Sequence, residues 1–389
     1  MSILIFGDSF SFPDGNAATN RVHTYAKGFY ENGVNVRVIC FANDYVNVVD
    51  GELNGINFYH TFGQKSRHKY FIIRRWQKFI KYFRTIRLIG EINKSDKIIA
   101  LNCWAEHLHF QIFAFFIAKY FKTKFILERS EHPFKDYEGS FIKLIFGNIK
   151  LYFEISFCSG IFCISRHLVE FYKNRGFNPQ KLFLVPSTVD PTRFVHSGEK
   201  IFPFPFIGYF GSLTFTWDNI DILIKAFAKI SNKFPEIRLV LGGFCLEDEK
   251  KQLKDLIKEL NITTKVELLK YLKREEIVNY INQAHILVLV RKNNLKSQAS
   301  FPSKLTEFLV TANPVISVAV GEISDYLTDG ENAFLVKPGD FDALAEKLIF
   351  VLENYQFAKE VGLRGKELTN TVFNYKFQAK RMLDFINTF

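Results

Sequence analysis

Residues 300–309 read SFPSKLTEFL, and they lie between the apolar runs ILVLV (286–290) and PVISVAV (314–320). Two continuous apolar runs flanking a helix-length amphipathic segment describe a strand-helix-strand unit whose strands are buried on both faces. The alternation extends through the chain. Earlier runs fall at 3–6 (ILIF), 36–41 (VRVICF), 98–102 (IIALN), 125–129 (FILER), 160–165 (GIFCIS) and 182–186 (LFLVP). Later ones fall at 204–210, 238–241 (RLVL), 266–271 (VELLKY), 286–290, 314–319 and 333–337 (AFLVK). A chain of 389 residues exceeds what one core usually holds. The pattern therefore predicts an α/β protein of two Rossmann-like, doubly wound parallel-sheet domains, residues 1–198 and 199–369. The stretch 187–203, with Pro191, Gly198 and Pro203, has linker composition. A last helical segment within 370–389, strongest over 374–387, has no strand to serve and is expected to cross back to the first domain.

Apolar residues make up 48% of the chain, enough for packed interiors. The five cysteines, Cys40, Cys103, Cys158, Cys163 and Cys245, lack metal-site spacing and fit a reduced, cytosolic protein. The opening MSILIF lacks the basic start of a signal peptide and has the pattern of a first strand. Lys143, Lys150, Glu154 and Gly160 interrupt the most apolar region, 141–165, so no membrane-spanning helix is expected. Of the net charge of +11, residues 1–198 carry +10 and residues 199–389 carry +1. Much of the asymmetry comes from 65–87, KSRHKYFIIRRWQKFIKYFRTIR, which has nine Lys or Arg and no acid.

Ligands of open parallel sheets bind outside the carboxyl ends of the strands, so two such domains facing each other would line a cleft with their post-strand loops. Three loops carry unusual residues. In 8–33, Pro13-Asp14-Gly15-Asn16 precedes a helix, and a glycine there lets backbone N–H groups approach a phosphate; an ordinary β-α turn looks the same. In ERSEHPF (128–134), His132 is flanked by Glu131 and Pro133; it is either a polar group of a site or a hydrogen-bonded structural residue. Arg129 pairs with Glu128 or Glu131 if it serves structure alone.

The third loop is SFPSKLTEFL itself. Its serines and Pro302 are helix-start signals, predicting a helix over 303–312. Lys304 sits where the helix dipole prefers acids, which points to an anionic partner. Glu307, a turn later, suits the vicinal diol of a ribose, and Arg291 closes the preceding strand with a second positive charge. A capped amphipathic helix with a solvated Lys-Glu pair is the bland alternative.

The order of motifs resembles the retaining GT-B glycosyltransferases of family four. FPSKLTEFLVTANPVISVAVGEISDYLTDGENAFLVKPGDFDALAEKL (301–348) is similar to that family's signature region. GYFGSL (208–213), RLVLGG (238–243) and LVPSTVDPTRF (184–194) fall in the family's order. The resemblance implies sugar transfer from a nucleoside diphosphate sugar to an acceptor hydroxyl, with no metal. It implies a ribose role for Glu307 and donor-diphosphate roles for Ser303 and Lys304, with Gly15 and Asn16 in the glycine loop that approaches them. Gly211 and Ser212 fall in the donor site, Tyr271 and Leu272 line the base, and His132, with Glu131, lies near the donor sugar. Two positions depart from the pattern. Many relatives carry a second glutamate eight residues before the first, where this chain has Ala299. Relatives also have cations in the stretch that here is SLTFTWDNID (212–221), leaving Arg291 and Lys304 to neutralise phosphate.

In the basic segment Ile72, Trp76, Phe79, Ile80, Phe83 and Ile86 follow helical spacing, with Arg74, Arg75, Lys78 and Lys81 mostly on other faces. It reads as a surface helix packed on the first domain, or as one adsorbed to an anionic membrane, which would suit a lipid-linked glycan acceptor. No nucleic-acid-binding module is visible. The expectation is a glycosyltransferase of surface polysaccharide or glycolipid synthesis, cytoplasmic or peripheral on the inner membrane face. The rivals are an epimerase or phosphorylase of the same fold, and a non-catalytic nucleotide-sugar-binding protein.

Overall fold

The computed structural model describes residues 1–134, 141–195, 198–270 and 272–389. They form two compact units, Met1–Thr188 with Tyr375–Phe389, and Val189–Asn374. The division falls earlier than residue 198 because Val189 bridges Asn374 and its N–H donates to Phe373 O at 2.9 Å.

In the first unit, β1 (Ser2–Gly7), α1 (Ala17–Glu31), β2 (Asn35–Cys40), β3 (Asp50–Leu53), β4 (Ile56–His60), α2 (Phe71–Ser95) and β5 (Ile98–Trp104) come first. They are followed by α3 (Leu108–Tyr120), β6 (Lys124–Arg129), α4 (Phe141–Phe157), β7 (Gly160–Cys163), α5 (Arg166–Lys173) and β8 (Leu182–Leu184). The sheet order is β3-β4-β2-β1-β5-β6-β7-β8, parallel except for the β3-β4 hairpin. That hairpin was not among the apolar runs. Its signal is Asn54-Gly55, at φ 51° and 79°, the two left-handed residues of a tight hairpin turn. β1 is buried along its whole length, as a central strand covered on both faces must be.

The second unit contains β9 (Phe206–Phe210), α6 (Ile220–Ile230), β10 (Arg238–Gly242), α7 (Glu247–Glu259), β11 (Val266–Leu268), α8 (Glu276–Gln283) and β12 (Ile286–Leu289). After these come α9 (Leu295–Ala299), α10 (Ser303–Val310), β13 (Val315–Val318), α11 (Ile323–Tyr326), β14 (Phe334–Val336), α12 (Phe341–Glu353) and α13 (Tyr355–Asn370). Its sheet is parallel, ordered β11-β10-β9-β12-β13-β14. The strand order reverses between β9 and β12, which leaves a crevice between the loops that follow them. The last helix, α14 (Tyr375–Asn387), packs in the first unit, with Met382 and Ile386 in its core. It rests on α1 at Gly28, where a Cβ would come within 2.6 Å of Ala379 Cβ.

Helix α2 corrects two expectations. Its apolar stripe does not pack on the sheet: Ile72, Trp76 and Phe83 are 80%, 60% and 61% exposed. Lys81 does not face outward with the other cations. It is buried, its Nζ donates to Phe41 O at 2.7 Å and lies 3.8 Å from the Phe41 ring centroid. Ile89 and Ile92 anchor the rest of the helix, so Lys81 shares the buried face with them and the aromatic stripe points away. Among the described residues no helix is long and apolar enough to cross a membrane. Four cysteines are buried and Cys245 is partly exposed.

Candidate functional site

The chemistry-bearing side chains of the second unit gather at the crevice between the loops after β9 and β12. Lys304, in the first turn of α10, extends over Gly211: a Cβ there would lie 1.9 Å from Lys304 Nζ. The space that glycine leaves lets Nζ donate to Tyr209 Oη at 3.1 Å and approach Asp218 Oδ1 at 3.6 Å. Burial lowers the Lys304 pKa, Asp218 opposes that, and Arg291 adds to it by repulsion. Asp218, in the loop after β9, is held by Thr214, whose hydroxyl donates to Oδ2 at 3.1 Å.

Arg291 donates from Nη2 to Ser300 Oγ at 2.9 Å, and its Nη1 is buried with no hydrogen-bond partner. Burial lowers its pKa as well. Two half-buried cations thus share one carboxylate, Asp218, while Glu307, which also acts on Lys304, is itself paired with Arg193, and Arg291 holds an unused donor. Such a cluster is short of negative charge.

α10 begins at Ser303 rather than at a capping serine. Its N-cap position is Pro302, and no side chain caps it. Ser300 cannot cap, because its hydroxyl accepts from Arg291 and donates to Lys296 O at 2.7 Å. The helix start therefore leaves its N–H groups to a ligand or to water. On the same helix Glu307 Oε1 accepts from Arg193 Nη2 at 3.3 Å, and Oε2 bonds to no described residue. The Arg193 guanidinium stacks 4.7 Å from the Phe194 ring centroid. Sequence reasoning missed Arg193, although it is next to last in the motif LVPSTVDPTRF, and it missed Asp218. Gly211 also lies against Gly243, whose φ of 144° and 1.7 Å Cβ approach to Gly211 O admit only glycine. Ser212 O accepts from Tyr209 Oη at 3.0 Å. Leu272 is partly exposed beside Gly242, and Tyr271 lies outside the described residues. Ala299 is fully buried at the end of α9.

The remaining candidates belong to the first unit. Gly15 is required by packing, since a Cβ would meet Thr19 Oγ1 at 2.3 Å and Ser11 O at 2.8 Å. Asn16 is the N-cap of α1: Oδ1 accepts from Ala18 N at 3.0 Å and Thr19 N at 3.3 Å. Its side-chain oxygen is thereby committed to the helix. His132, in the loop after β6, stacks edge-on against Phe171 at 4.6 Å. Burial, His167 and Arg175 bring its pKa down to about 4. Nδ1 accepts from Phe134 N at 3.1 Å, so the ring is neutral with its proton on Nε2. Glu131 is half-buried beside it.

Arg129 pairs with neither neighbouring glutamate considered above. Successive strand residues point to opposite faces, so Glu128 meets Arg21 at 2.6 Å on one side and Arg129 meets Glu154 of α4 on the other. Arg74 is half-buried, whereas Arg75 and Lys78 are exposed on α2. Among the described residues no group of three or more His, Cys, Asp or Glu is arranged to hold a metal ion.

The family described as Glycosyl transferases group 1 matches residues 199–368. The trehalose synthase of Thermococcus litoralis is 26% identical over 245 residues, covering 57% of this chain and 56% of that protein. The capsular polysaccharide biosynthesis glycosyltransferase CapM of Staphylococcus aureus is 25% identical over 183 residues, 47% of this chain and 46% of that one. The chain thus spans about half the length of the curated relatives it matches. Among solved structures, sucrose-phosphate synthase of Thermosynechococcus elongatus superposes with a TM-score of 0.74 at 15% identity, covering 100% of this chain and 99% of that one. Anabaena HepE, solved with UDP and glucose, gives 0.74 at 15% identity over 100% of both chains.

Proposed function

Residues 199–368 belong to the glycosyl transferases group 1 family, and from that premise we propose that this protein moves a glycosyl group from a nucleoside diphosphate sugar to an acceptor hydroxyl. The chain has the GT-B fold of its structural neighbours. The observation that carries the proposal is the Lys304–Asp218–Arg291 cluster at the uncapped start of α10, with Glu307 one turn along. As the sugar C1–O bond breaks, negative charge grows on the departing diphosphate. Lys304, the unused Arg291 Nη1 and the α10 N–H groups oppose that charge in a partly buried setting, where it counts more than in water. These cations perform the neutralisation without a metal ion. Glu307, with Oε1 fixed by Arg193, keeps Oε2 for the ribose hydroxyls. His132, neutral with its proton on Nε2, suits hydrogen bonding to a sugar hydroxyl. Retention of configuration is part of the reading, as is an acceptor belonging to a surface polysaccharide or glycolipid. Neighbours solved with UDP and UDP-glucose support a nucleotide sugar as donor.

The test is thermal denaturation with UDP, GDP, ADP and CMP. A nucleotide at a hundredfold excess over its Kd should stabilise the fold by about 2.7 kcal/mol, a shift of a few degrees. Glu307→Ala should lose most of that shift. If none of the four raises the melting temperature at millimolar concentration, the donor site is misassigned.

A further inference from the structure

The first unit holds a second basic site, separate in sequence from the donor cluster of the second unit. A pocket of about 270 Å³ is lined by Arg67, Arg74, Arg75 and Lys78 together with Phe62 and Phe71, and no acidic residue lines it. Phe62 is buried and follows β4, while Asn43 and Tyr45, which also line the pocket, follow β2, so the pocket lies at the carboxyl edge of the sheet. Arg74 Nη1 donates to His68 O at 3.3 Å and Lys69 O at 3.4 Å, which folds the basic 65–70 segment over the start of α2. Arg74 and Arg75 both lie against the Phe71 ring, at 5.7 and 5.1 Å from its centroid. None of the four cations forms a salt bridge with a described residue. Like charges assembled this closely repel one another unless an anion is shared among them, and guanidinium groups match phosphate oxygens in pairs.

The same helix turns an apolar ladder to solvent beside this pocket. Trp76, Phe79 and Phe83 are 60%, 51% and 61% exposed, with ring centroids 5.7 and 5.3 Å apart in succession. A free phosphate would need no such ladder. We propose that the pocket binds the phosphate or diphosphate head of an amphiphilic acceptor whose apolar tail lies along Trp76, Phe79 and Phe83. This rests on the proposed transfer, since it names the acceptor class of that reaction.

The test has two arms, each on the full chain. Inorganic pyrophosphate is titrated calorimetrically in the Lys304→Ala background, which weakens the donor cluster and leaves the pocket of the first unit intact. The Arg74→Gln/Arg75→Gln pair should weaken that binding about a hundredfold or more, from two lost charged contacts. Flotation is then measured with phosphatidylcholine vesicles carrying either a long-chain isoprenyl diphosphate or an equal charge of phosphatidylglycerol. Recruitment should need the diphosphate, and Trp76→Ser/Phe79→Ser should lose recruitment while keeping pyrophosphate binding. Equal recruitment by phosphatidylglycerol would overturn the proposal in favour of a generally anionic surface. Pyrophosphate binding without recruitment would overturn the amphiphile and leave a soluble phosphate ligand. No pyrophosphate binding, or binding unchanged in the Arg pair, would overturn the pocket. A negative nucleotide screen alongside positive results here would remove the donor assignment and leave the pocket standing.

Discussion

Gly211→Ala should disable nucleotide binding while leaving the fold in place. The new methyl would sit 1.9 Å from Lys304 Nζ, 2.2 Å from Cε and 2.9 Å from Cδ. All three are atoms of one flexible side chain, so Lys304 would swing aside rather than the backbone yielding. It would give up Tyr209 Oη at 3.1 Å and its approach to Asp218, and with them its aim at a phosphate. A hydrogen bond to a charged group contributes about 1.5–3 kcal/mol, which corresponds to a Kd about ten- to a hundredfold higher. Stability should change by less than about 1 kcal/mol, because Gly211 does not occupy a left-handed conformation. Calorimetric titration with whichever nucleotide stabilises the wild type gives the affinity, and urea denaturation gives the stability. Lys304→Ala should show the same loss, and the double variant should be no worse than either single one, since both remove one interaction. Wild-type affinity in Gly211→Ala, or additive losses in the double variant, would refute the placement of Lys304 at the phosphates. Gly243→Ala is the contrast: its Cβ would strike Gly211 O, a backbone atom, from a φ of 144°, so there the fold itself should fail.

Arg193→Ala should weaken nucleotide binding about tenfold by releasing Glu307 Oε1, and Arg193→Lys should recover part of it; titration of both variants decides the matter. His132 has a folded pKa of about 4 against an unfolded value near 6.5. Between those values the unfolded chain binds the extra proton, so His132 contributes stability above about pH 6.5 that is lost as pH falls toward 4. Denaturation midpoints of His132→Gln should therefore fall less steeply than wild type across that window, by on the order of 1 kcal/mol.

Much of this protein is written locally. A strand of a parallel sheet is buried on both faces, so ILVL at β12 and VISV at β13 announce themselves as unbroken apolar runs wherever they occur. Lysine and glutamate at 304 and 307 lie one helical turn apart, with proline at 302 just before them, so their common placement on α10 follows from helix geometry alone. The β3-β4 hairpin escaped because a half-exposed edge strand such as DGEL carries little apolar signal, leaving only its Asn-Gly turn. Partnership across the fold was not local. Arg193 reaches Glu307 over 114 positions, and Asp218 reaches Lys304, only because the sheet returns their loops to one crevice. Adjacent Glu128 and Arg129 took distant partners because strand neighbours face opposite ways. Periodicity gave α2 an apolar stripe but no direction for it. Whether such a stripe faces a core or the solvent depends on what packs beside it, and here the buried Lys81, Thr85, Ile89 and Ile92 turned Trp76, Phe79 and Phe83 outward.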